Sequence, residues 1–137
     1  MNFKTSLKRA KGLGSAKEGT KHWLAQRVSA VALIILVIWM ISAFLQFPVA
    51  DIYGGGLSLL KTREIAMEWI SHPLNSLLCI FLLIAMFYHG ALGMRVILED
   101  YVHNELTKVL SIIAVNILSF AAAVIGIFSV LSSFLNG

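Results

Sequence analysis

An all-α integral membrane bundle of three transmembrane helices is the fold this sequence predicts, and three observations lead to it. Of 137 residues, 58% are hydrophobic and only 13% charged, whereas soluble domains average about 45–50% and about 25%. Residues 28–47, 74–94 and 109–134 contain no Asp, Glu, Lys or Arg. Each stretch reaches the roughly 20 residues a helix needs to cross a hydrocarbon core of about 30 Å. No run of short alternating segments suggests a barrel, and backbone amides in lipid must pair within their own segment, so each span is expected to be helical. A soluble globule and a disordered chain are excluded. The single cysteine, Cys79, excludes a disulfide scaffold.

Residues 1–27 form a basic tail ahead of the transmembrane part, residues 28–137. The tail carries Lys4, Lys8, Arg9, Lys11, Lys17, Lys21 and Arg27, with Glu18 its only acid. Beside a long apolar segment these charges report orientation and anionic lipid rather than nucleic acid. Lys61 and Arg63 lie between the first two spans, Arg95 and Lys108 between the second and third, and no basic residue follows the third. The nine positive charges on the N-terminal side, against two on the other, predict a cytoplasmic N terminus and an outside C terminus. The Lys-rich tail favours a bacterial inner membrane over a mitochondrial one, and a cleaved signal peptide is not expected.

Between the first two spans, Pro48 and Gly54-Gly55-Gly56 predict a turn. Residues 57–70 put Leu59, Leu60, Arg63, Met67 and Ile70 at near-helical spacing, which predicts a short amphipathic helix at the interface. Ser71-His72-Pro73 then opens the second span. No internal repeat appears, and three spans exclude a two-half inverted-repeat transporter within this chain.

Polar groups inside a span are costly and are therefore functional candidates. His89 is the foremost, about 9 Å inside the cytoplasmic end of the second span at 1.5 Å per residue. On a helical wheel it shares a face with Leu82, Ala85, Gly93 and Val96, so small residues lie one turn above and below it. That pattern suits close helix packing, and it equally suits an imidazole that ligates haem iron in a slot between helices. His22, His72 and His103 are poorly placed to supply a second ligand, which then has to come from another chain. Arg27, where the first span enters the membrane, suits lipid phosphate or a carboxylate such as a haem propionate, and His22 can share that role. Asp100-Tyr101, just past the second span, offers an acceptor beside a phenolic donor and suits a quinone head group. Interfacial anchoring by Tyr101 and a solvated Asp100 are the competing reading. Asn116 and Cys79 read as packing residues.

The segment from His89 to His103, with a glycine four residues after the first histidine and Asp-Tyr at eleven and twelve, resembles the small hydrophobic anchor subunits of succinate dehydrogenase, respiratory complex II. The segment His22-Trp23-Leu24-Ala25-Gln26-Arg27-Val28-Ser29-Ala30 is similar to the start of that family's first helix. The resemblance implies pairing with a second three-helix subunit and a b-type haem between the two, held by one axial histidine from each. It also implies a flavoprotein with FAD and an iron–sulfur subunit docked on the cytoplasmic or matrix face, in a heterotetramer that can associate as trimers. Succinate would be oxidised at the FAD, not on this chain, and electrons would pass through iron–sulfur clusters to ubiquinone. By position, His89 matches the axial ligand, Tyr101 the quinone donor and Asp100 the adjacent acid. Arg27 and His22 match basic residues on the propionate side, and Arg95 departs from the pattern. The runner-up is a structural membrane anchor or assembly protein without cofactor contact, and a fumarate reductase anchor is a third reading.

Overall fold

The computed structural model of the chain describes residues 15–46 and 59–136, and these form four helices. They are α1 (Ser15–Phe44), α2 (Leu59–Ser71), α3 (Pro73–Tyr101) and α4 (Glu105–Asn136). No strand occurs among the described residues. The turn expected at Pro48 and Gly54-Gly55-Gly56 lies outside them.

Three helices are long and apolar enough to cross a membrane: Gly19–Phe44, Pro73–Tyr101 and Glu105–Asn136. α3 and α4 run past both ends of the uncharged stretches that mark them, whereas α1 runs past the start of its stretch and ends at Phe44, short of the expected residue 47, with Leu45 and Gln46 in a turn. α1 already starts at Ser15, well before Val28, because Ala, Lys, Leu, Gln and Arg are all good helix formers. Hydropathy registers where charge stops, while helix formation depends on backbone propensity, so the charged flank stays helical. α2 occupies the segment read as amphipathic, with Arg63, Glu64 and Glu68 exposed while Ile65, Met67, Trp69 and Ile70 are partly covered.

The joints between helices follow from local chemistry. His72 is extended (φ −74°, ψ 123°) and Pro73 follows at the first helical position, where a missing N–H is harmless and the fixed φ suits a helix start. The carbonyls that end α2 receive side-chain donors from the first turn of α3. Asn75 Nδ2 donates to Trp69 O at 2.8 Å, and Ser76 Oγ donates to Ile70 O. At the far end of α3, residues 102–104 make a short connector. Asn104 Oδ1 accepts from the amides of Leu106 (3.0 Å) and Thr107 (3.2 Å), which caps α4. A connector this short folds α4 back as an antiparallel neighbour of α3.

α3 is the central helix and packs on both α1 and α4, while α2 rests on α3 and α4. A Cβ added at Gly126 would lie 3.1 Å from Leu83 Cδ1, which marks the close approach of α4 to α3. Trp39 stacks on Trp69 at a centroid distance of 5.8 Å, tying α1 to α2. Only Ser29, Ala43, Ser76, Cys79 and Val130 are buried among the described residues. Ile34, Ile35 and Ile38 on α1 and Phe120, Ile125 and Phe128 on α4 are each more than half exposed. Three helices with so little interior bury their apolar surface against lipid and neighbouring helices rather than in a core of their own.

Candidate functional site

α1 and α3 run antiparallel, so the first half of α1 lies beside the last half of α3. Ser29 meets His89 at 3.0 Å, and three residues earlier Gln26 meets Gly93, where an added Cβ would sit 3.5 Å from Gln26 Nε2. Between the two helices lies a cleft of about 710 Å³, within the range of about 300–1,000 Å³ usual for small-molecule and cofactor sites. Its lining includes His22, Gln26, Arg27, His89, Gly93 and Arg95. Three of the five sequence-predicted site residues, His22, Arg27 and His89, therefore share one cavity.

The charged groups around this cleft differ in what holds them. Arg95 Nε donates to Glu99 Oε1 at 2.8 Å, one helical turn away. Arg27 has no carboxylate partner among the described residues, and its guanidinium carbon lies 5.6 Å from the centroid of the Trp23 ring. That stacking holds the cation without neutralising it. Arg27 is thus the arginine left to receive an anionic group, while Arg95 is already paired. His89 is half-buried, and Ser29 Oγ is its one hydrogen-bond partner among the described residues.

A family model described as succinate dehydrogenase/fumarate reductase transmembrane subunit matches residues 1–124. The chain belongs to that family. A succinate dehydrogenase hydrophobic membrane anchor subunit from Rickettsia conorii is 34% identical over 129 residues, covering 89% of this chain and 94% of the relative. Its counterpart from Rickettsia bellii is 29% identical over 130 residues, 93% of this chain and 95% of the relative. The one from Paracoccus denitrificans is 31% identical over 115 residues, 84% and 81%. As a member of the succinate dehydrogenase/fumarate reductase transmembrane subunits, the chain is a membrane anchor of an enzyme complex and works beside other subunits.

In this anchor, Asp100 and Tyr101 do not line the cleft, although Glu99 beside them does. Tyr101 is the last residue of α3, 77% exposed, and Asp100 is exposed beside it. Twelve residues of helix separate Tyr101 from His89, about 18 Å along the axis. His72 is exposed at the opposite end of α3, and His103 is exposed in the connector to α4; neither lines the cleft. Sequence reasoning missed Gln26, Ser29 and the Arg95–Glu99 pair. A signal for Ser29 did exist, since it is a polar side chain two positions inside the span and within the segment carrying the family resemblance. Its partner, however, is set by the register of α1 on α3.

Proposed function

We propose that this chain is the haem- and quinone-binding anchor of a succinate:ubiquinone oxidoreductase in a bacterial inner membrane, with its N terminus in the cytoplasm. The observation that carries the reading is His89, an imidazole within an apolar helix that lines a cleft with Arg27 and His22. The donor set fits a b-type haem: a neutral nitrogen ligand for iron and two basic side chains for the propionates. When bound, that haem supplies one-electron redox chemistry beside the path from the iron–sulfur subunit to quinone.

Within this reading His89 would hold the iron, together with a histidine of the second membrane subunit. Arg27, exposed against the Trp23 face and without a carboxylate partner among the described residues, would offer its guanidinium to a propionate. His22 adds a second donor on the same wall. Tyr101, exposed at the helix end, donates its phenolic proton in a hydrogen bond to a carbonyl of ubiquinone, and Asp100 accepts and delivers protons beside it. FAD and the iron–sulfur clusters belong to the partner subunits, and succinate does not bind here. Lysines and arginines crowded at the N-terminal end support the orientation, with electrons and protons arriving from the same side.

A tether without cofactor contact is favoured by one feature: neither Asp100 nor Tyr101 lines the cleft. An optical spectrum of the purified complex decides between the two. Reduced b-type bands are expected in the wild type, and His89→Ala converts them to a high-spin or haem-free spectrum. A wild-type complex without those bands, or bands unchanged by the substitution, overturns ligation by His89.

A further inference from the structure

Ser29 is one of only two buried polar residues among the described ones, 7% exposed on a helix whose other faces are largely open to lipid. Its hydroxyl touches two groups. Oγ lies 3.0 Å from the carbonyl oxygen of Gln26 and 3.0 Å from Nδ1 of His89. A carbonyl oxygen only accepts, so the contact with Gln26 O is a hydrogen bond only with the hydroxyl proton directed at it. Oγ then has only lone pairs to offer the imidazole, and the contact with Nδ1 is a hydrogen bond only if Nδ1 carries the proton. A neutral imidazole with its proton on Nδ1 presents a free lone pair at Nε2.

We infer that Ser29 is a positioning residue that fixes His89 as its Nδ1–H tautomer, so that Nε2 is the nitrogen offered to a metal centre in the α1–α3 cleft. The inference rests on the reading of His89 as an iron ligand and deepens it. A bare seryl–histidine link between helices would be indifferent to which nitrogen holds the proton. Here the backbone carbonyl of Gln26 decides it, because it consumes the hydroxyl's only donor. The bond also orients the ring, since Nδ1 is held against α1 at a fixed point one helical turn from Gly93. Hydrogen bonds of this kind to the second nitrogen of a ligating imidazole raise its basicity, and their loss typically weakens metal binding about 10–100-fold. A more basic ligand favours the ferric over the ferrous state, so the bond holds the midpoint potential down.

The test uses the purified complex carrying Ser29→Ala, Ser29→Val or Ser29→Thr, with haem content, midpoint potential and the low-temperature EPR signal of the ferric haem as readouts. Ala and Val remove the hydroxyl, while Thr keeps it in nearly the shape of Val, which separates the hydrogen bond from packing. Ala and Val are expected to raise the midpoint potential, shift the EPR signal and lower haem affinity by about tenfold, with Thr close to wild type. Unchanged potential, EPR signal and haem content in Ala and Val overturn the inference, as does an equal shift in all three variants. His89→Ala in the same series keeps the two claims apart. If it leaves the spectrum intact, the ligand reading falls and the inference with it; if it removes low-spin haem while the hydroxyl-free variants stay silent, only the role of Ser29 falls.

Discussion

Ser29 and Ser76 are the two buried polar residues among those described, 7% and 5% exposed, and they sit on neighbouring helices toward opposite ends of the bundle. Ser76 Oγ contacts the carbonyls of Ile70 and His72 and nothing else among the described residues. Both partners are backbone acceptors at the α2–α3 joint, so Ser76 completes a helix terminus and has no capacity directed elsewhere. Ser29 contacts one carbonyl and one imidazole. The same side chain at the same burial therefore completes a helix terminus at one end and meets an imidazole across two helices at the other. Burial alone does not separate the two; the identity of the second partner does.

Substitutions at the two ends should divide accordingly. The largest effect expected on turnover is at Tyr101, where Tyr101→Phe should lower succinate–quinone activity at least about tenfold, the loss of one well-formed hydrogen bond to the substrate. Electron transfer to a soluble dye should stay nearly intact, and assays of the purified complex with the two acceptors check this. Equal loss of both activities would assign Tyr101 to assembly. At the structural end, Ser76→Ala leaves the carbonyl of Ile70 without its side-chain donor, a destabilisation of about 1–3 kcal/mol. A lower melting temperature of the complex with an unchanged haem spectrum is expected; a changed spectrum would blur the contrast between the two serines.

Removing the α4 cap with Asn104→Ala should destabilise by about 1 kcal/mol, read by the same melting curve and again without a spectral change. The smallest shift is expected at Arg27. If the proposed haem lies beside it, Arg27→Gln removes a positive charge that favours the reduced state, so the midpoint potential should fall, opposite in sign to the hydroxyl-free variants of Ser29. The change should stay within about fivefold in the ferric/ferrous ratio, the ceiling of about 1 kcal/mol for an exposed ion pair. Redox titration measures it, and a rise would place Arg27 away from the haem edge.

What the sequence alone revealed follows from how each feature is encoded. The spans were legible because lipid demands some twenty consecutive uncharged residues, and residues 28–47, 74–94 and 109–134 supply them. The early start of α1 at Ser15 was not, because helix propensity in a lysine-rich flank leaves no trace in hydropathy. His89 stood out as an ionisable side chain surrounded by apolar ones. Ser29 did not, because serines recur through these helices at Ser42, Ser76, Ser111 and Ser119 and are readily tolerated there. Its meeting with His89, sixty positions away, is set by helix packing. Arg95 was unassigned for the converse reason: Glu99 one turn on neutralises it, an i,i+4 pair that spacing alone had already made available.

The most direct measurement is a density map of the assembled complex resolved well enough to orient imidazole rings. The account predicts a porphyrin in the α1–α3 cleft with its iron bonded to Nε2 of His89, Ser29 Oγ against Nδ1 and a second polypeptide closing the far side. Lipid or aliphatic side chains filling that cleft, with the His89 ring bonded to no metal, would contradict it.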